Sequence, residues 1–97
     1  VEITKVRIRP AEDRNTGFMA FADVIFDDCF AVHGMKIISG SNGLFVAMPS
    51  KENHNRNSKQ RFLDICHPLT NEYRLYIENT ILDSYEKEME KNTDDAQ

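Results

Sequence analysis

Residues 18–38 read FMAFADVIFDDCFAVHGMKII. Two apolar runs of strand length, rich in Phe, Val and Ile, flank a pair of aspartates, and Asp accepts turn dihedrals and can bond its own backbone. The spacing predicts a hairpin, with one strand over Phe18–Phe26, a tight turn at Asp27-Asp28 and a second strand over Cys29–Ile38. Both faces of the first run are mostly apolar, the pattern of a central or doubly covered strand. Gly34, in the middle of the second run, is a candidate bulge.

Upstream, VEITKVRIR alternates: Val6 and Ile8 fall on one side and Lys5, Arg7 and Arg9 on the other, as in a half-buried strand ended by Pro10. Downstream, Gly40-Ser41-Asn42-Gly43 is the strongest turn signal in the chain, because Asn-Gly suits the positive dihedrals of a two-residue hairpin loop. It leads into a fourth strand, Leu44–Met48, which Pro49 ends by lacking an amide donor. Residues 51–60 hold three asparagines and no large apolar side chain, which predicts a loop, and Arg61–Cys66 predicts a short fifth strand closed by Pro68.

From Thr70 the period changes. Thr70 is a candidate N-cap, Glu72 suits the first turn, and Tyr73, Ile77, Ile81, Tyr85 and Met89 recur every four residues, with Tyr76 and Leu82 widening the stripe. These features predict one helix of about 20 residues. Strands followed by a terminal helix give an α+β domain, an antiparallel sheet of about five strands with one long C-terminal helix against it. At 97 residues the chain makes one domain, taken as residues 1–91, with 92–97 an acidic tail expected to be disordered. The helix stripe and the doubly apolar second strand offer more apolar surface than one small sheet needs, and a symmetric homodimer would cover it.

The formal net charge is −4. It is unevenly placed: from Asp83 to Gln97 there are six acidic residues and two lysines, so residues 1–82 carry ten of each sign. Within that neutral body, residues 51–61 hold Lys51, Arg56, Lys59 and Arg61 against Glu52 alone. A polyanion responds to such segregation more than to the sum. Lys5, Arg7 and Arg9 at two-residue spacing lie about 6.6 Å apart along a strand, near the phosphate spacing of one nucleic-acid strand. A solvated sheet face would carry the same pattern. Asn53, Asn55, Asn57 and Gln60 add groups able to bond phosphates, sugars or base edges.

Other chemistry has less support. Cys29, His33, Cys66 and His67 are zinc-ligand types, but residues 29 and 33 of a strand lie about 13 Å apart, too far to chelate one ion without a bulge. Buried structural cysteines account for them more simply. Cys66 and His67 are adjacent and point to opposite faces of a strand, which disfavours a nucleophile pair. Asp27-Asp28 is explained by its turn. No phosphate-cradling glycine motif occurs, so no enzyme site, cofactor or small-molecule substrate is expected. With two cysteines, no glycosylation sequon, no apolar run of ~18 residues and no signal-type apolar region, a cytoplasmic protein without a membrane partner is expected.

NGLFVAMPSK (42–51), preceded by FDDCFAVHGMKIISG and followed by DICHP, resembles the stage V sporulation protein G (SpoVG) family, and the resemblance runs over roughly residues 2–85. It implies a small bacterial regulator that binds DNA and RNA, works as a dimer and affects development, gene expression or cell division and septation. By position, Lys51 matches the basic residue after Met-Pro-Ser, Arg7 and Arg9 the basic end of the first strand, and Arg74 a basic position early in the helix. Two departures stand out: Glu52 replaces a second basic residue, and the loop before Asp64 is about four residues longer, with its charge moved to Arg56, Lys59 and Arg61. The expected nucleic-acid-binding set is therefore Arg7, Arg9, Lys51, Arg56, Lys59, Arg61 and Arg74. The alternative from another class is a protein-interaction module that docks on another regulator through its helix face.

Overall fold

The computed structural model describes residues 1–12, 16–57 and 59–95. Four strands, β1 (Ile3–Pro10), β2 (Phe18–Phe26), β3 (Phe30–Gly40) and β4 (Gly43–Ala47), form an antiparallel sheet in chain order. A separate two-stranded ribbon pairs β5 (Ser50–Glu52) with β6 (Phe62–Asp64), and one helix, α1, spans Asn71–Asp95. The α+β architecture is the one expected. The acidic tail expected over 92–97 lies outside the residues whose side chains are described.

The central hairpin forms where the aspartates predict it. Asp27 (φ 50°) and Asp28 (φ 54°) both occupy the left-handed region, and the Cys29 amide donates to the Phe26 carbonyl at 3.0 Å. Such a turn matches the right-handed twist of its strands. Aspartate does here what glycine could not: Asp27 Oδ1 accepts the Glu2 amide at 2.8 Å, tying the turn to the start of the chain. The Asp28 amide adds a bond to Thr4 Oγ1 at 3.0 Å. Gly34 is a bulge as expected, since the β2–β3 register passes from Ala22↔Met35 to Val24↔Val32 and leaves His33 and Gly34 opposite Asp23. Its φ of 89° is costly for any residue with a Cβ.

Two expectations require correction. The β3–β4 loop is Ser41-Asn42, with Gly43 already paired to Gly40, so the positive φ (114°) falls on the first residue of β4 and Asn42 keeps a negative φ. The fifth strand contracts to Phe62–Asp64 and does not join the main sheet. Proline 49 stops β4, and the chain beyond it turns to a nearer partner: the Ile65 amide donates to the Pro49 carbonyl at 2.7 Å and the Asn53 amide to the Arg61 carbonyl at 2.8 Å. Lys51 and Glu52, expected to open a loop, therefore belong to a strand.

One face of the sheet is the core. Ala20, Ala22 and Val24 of β2, Met35 and Ile37 of β3 and Val46 of β4 are buried against Ile77, Ile81 and Tyr85 of α1. These three helix residues belong to the four-residue row of the sequence, and Tyr73 and Met89 continue it half-buried. Alanines at the centre of the sheet leave room for the longer helix side chains. Thr70 is the N-cap, its Oγ1 accepting the Tyr73 amide at 3.1 Å. Tyr76, expected in the apolar stripe, is 38% exposed and instead ties the layers together, its hydroxyl accepting the Ile3 amide at 2.9 Å.

Candidate nucleic-acid interface

In the β1–β2 register Lys5, Arg7 and Arg9 stand opposite Ile25, Asp23 and Phe21, whereas the intervening Val6 and Ile8 stand opposite the core residues Val24 and Ala22. Paired residues of a sheet share a face. The three cations thus occupy the face away from the helix, as the alternation predicts. Lys36 of β3, opposite Phe21, joins them there.

Asp23 is the one carboxylate at the strand positions of this outer face. Its Oδ1 accepts Arg9 Nη2 at 3.1 Å and His33 Nδ1 at 3.2 Å. Burial pushes this carboxyl up, but hydrogen bonds from His33 and Arg9, reinforced by their charges, outweigh it and hold it below its ordinary value. Arg9 is thereby fixed, its guanidinium carbon 5.3 Å from the centroid of the Phe21 ring. Arg7 and Lys36 make no ion pair among the described residues. The outer face offers a positive surface with one cation oriented and the others free to reach a ligand.

The ribbon gathers the second group. Lys51 lies in β5 opposite Leu63, Arg61 accepts the Asn53 amide just beyond the pairing, and Arg56 and Lys59 lie in the connection. All four are exposed, and none makes an ion pair among the described residues. Glu52 of β5 and Asp64 of β6, both exposed, are the opposing charges of the ribbon strands. The asparagines are less available than their side chains suggest. Asn53 Oδ1 accepts the Asn55 amide and Asn55 Oδ1 the Asn57 amide, each at 3.0 Å, while Asn53 Nδ2 donates to the Gln60 carbonyl at 2.9 Å. Asn53 and Asn55 shape the connection, as asparagines in turns commonly do, and leave the cations to meet a ligand.

Arg74 stands apart. It is half-buried in the first turns of α1, the layer on the opposite side of the sheet from Arg7 and Arg9. The sheet lies between it and Arg7 and Arg9. The cysteines also depart from expectation: Cys29 is exposed and Cys66 half-buried, and both are free thiols. Both line an open, largely apolar cavity of about 440 Å³ between the sheet and the start of α1, walled by Phe26, Phe30, Met35, Tyr73 and Ile77. Among the described residues, no three of His, Cys, Asp and Glu gather into a metal-binding group, and no helix is long and apolar enough to cross a membrane.

Lys36 and the aromatic residues beside it were not singled out by sequence reasoning. The available signal was Lys36 alternating between the core residues Met35 and Ile37. Its meaning depends on the register with Phe21, fifteen residues away.

Residues 1–87 match the SpoVG family model. The chain is 42% identical over 91 residues to a protein of Anaeromyxobacter sp. (strain Fw109-5), covering 94% of this chain and 88% of the relative. A protein of Caldanaerobacter subterraneus subsp. tengcongensis is 40% identical over 93 residues, covering 96% and 97%. One of Desulforudis audaxviator is 44% identical over 86 residues, covering 89% and 92%. Each of these relatives carries the name "Putative septation protein SpoVG".

Proposed function

The chain belongs to the SpoVG family, and from that premise we propose that it is a cytoplasmic regulator that binds DNA and RNA as a homodimer and influences gene expression or septation, the process for which its relatives are named. Its mechanism is occupancy of a nucleic acid, with no bond made or broken. The observation that carries this reading is the ribbon: Lys51, Arg56, Lys59 and Arg61 are exposed, free of ion pairs among the described residues, and outnumber the ribbon's two carboxylates, Glu52 and Asp64. Arg7 and Arg9 extend the positive surface on the sheet. Arg74 is the weakest member of the set, being half-buried on the other layer.

The homodimer is supported by apolar surface that the single chain leaves open. Phe30 (64% exposed), Ile65 (66%), Leu69 (92%) and Leu75 (58%) lie in segments at or beside the open cavity. Exposed apolar side chains of this kind are what a second copy would bury. Sedimentation of the purified protein tests it, a mass twice that of the chain being expected. The same surface favours the second reading, a docking module for another protein. Binding of labelled DNA and RNA across a salt series separates the two. Salt-sensitive binding is expected of the regulator, and a chain that stays monomeric and binds neither polymer would be read as the docking module.

A further inference from the structure

The outer face of the sheet carries flat surfaces as well as charge. Phe18 and Phe21 meet there edge to face, their ring centroids 4.6 Å apart. Arg9 lies over Phe21. On the other side, Ile38 pairs with Phe45 of β4, which places Phe45 on this face too. The Phe45 ring is laid down on the backbone: a Cβ added at Gly40 would stand 3.0 Å from its Cε1 and 3.3 Å from its Cδ1. The glycine gives the ring room to lie over the strand, and the residue is still 43% exposed. From strand and residue spacings, Phe21 and Phe45 stand about 12 Å apart, enough for separate bases.

Around these rings the strand positions of the face carry Lys5, Arg7, Arg9 and Lys36 against Asp23 alone. A row across the sheet reads Arg9, Phe21, Lys36 and Ala47. Unpaired bases stack on aromatic rings and on guanidinium planes, while cations between them meet the phosphates. A duplex keeps its base faces covered, so only its phosphates could use this surface. A second copy of the chain docked face to face would set these cations against their own images, which charge disfavours.

We infer that the outer face of the sheet is a stacking platform for single-stranded nucleic acid, with Phe45 and the Arg9–Phe21 pair as base supports and Lys36 and Arg7 as phosphate contacts. This rests on the nucleic-acid reading above and sharpens it, because the ribbon cations serve single and double strands alike and the platform serves only unpaired bases. Stacking takes the base face and ignores the sugar, so oligo(dT) and oligo(U) of one length are both accepted.

The test uses the full chain and three labelled probes: oligo(dT), oligo(U) and a DNA duplex of matched length. Phe45→Leu keeps an apolar side chain without a ring, and its thermal unfolding is compared with the unaltered protein to show that it folds. The platform predicts single-strand affinity lowered about 5- to 150-fold, the range of one lost base stack, with duplex affinity and the salt slope unchanged. The chain contains no tryptophan, so Phe45→Trp supplies a unique fluorophore whose emission should be quenched when oligo(dT) saturates the protein. Unaltered single-strand affinity in Phe45→Leu, an equal loss for single strand and duplex, or unquenched emission overturns the platform and leaves the proposed function standing. Loss of dimerisation in Phe45→Leu would assign the face to a protein contact and also overturn it. Failure of the unaltered chain to bind any of the three probes overturns both.

Discussion

Replacing Lys51, Arg56, Lys59 and Arg61 together by glutamine removes the ribbon's positive charge while sparing its structure. Its backbone bonds, Asn53 to Arg61 and Ile65 to Pro49, do not involve the altered side chains, and all four residues are exposed. Surface changes of this sort alter stability by about ±0.5 kcal/mol each. Each phosphate contact on a duplex contributes roughly 0.9 to the slope of log affinity against log salt. Four contacts therefore contribute about 3.6, and the fourfold rise from 50 to 200 mM salt should weaken the unaltered protein about 150-fold through the ribbon of one protomer alone. Fluorescence anisotropy of a labelled duplex at five salt concentrations reads the slope directly. The variant should lose about 3.6 from it, retaining only what Arg7 and its neighbours supply. Lys87→Gln is the control, since Lys87 already pairs with Asp83 at 3.2 Å on the exposed side of the helix; its slope should equal that of the unaltered chain. A quadruple variant with an undiminished slope would refute the ribbon as the phosphate-binding element.

Three further predictions concern the frame that holds this surface. Ile81 is fully buried between helix and sheet, so Ile81→Ala should lower unfolding stability by about 2–5 kcal/mol in urea titration. Asp28 sits at φ 54°, and Asp28→Gly should raise the thermal midpoint by relieving that conformation, an effect that Asp28→Ala should not reproduce. Asp23 is held below its ordinary carboxyl value in the folded state, so it stabilises the fold above its unfolded value near ~3.9 and that contribution is lost as pH falls through the folded value. On acidification from pH 6 to pH 3, Asp23→Asn should therefore lose less stability than the unaltered chain, measured as the change in urea midpoint.

Local signals carried the hairpin and the helix. The Asp27-Asp28 pair, the four-residue row from Tyr73 and the cap at Thr70 each act within a few residues of sequence, and each stands in the structure where it was expected. The fifth strand could not be read in the same way. Whether residues 61–66 join the main sheet depends on where a proline at 49 sends the chain, and the answer lies in the nearer partner at 50–52. Asn53 and Asn55 looked like ligand-binding groups because the sequence shows donors and acceptors without their occupancy. The outer face was hidden for a related reason. Arg9, Phe21, Lys36 and Phe45 come from four strands, and only the register sets them side by side. Arg74 matched the family pattern by position, yet position along the chain says nothing of the layer on which it lies.

The most direct test of the account is a map of amide shift changes as a short oligo(dT) is titrated into isotopically labelled protein. The account predicts changes concentrated at residues 50–57 and 59–61 of the ribbon and at Arg7, Arg9, Phe21, Lys36 and Phe45 of the sheet's outer face. Changes confined to the helix, around Leu75, Tyr76 and Asp83, with the ribbon and outer face unmoved, would contradict it.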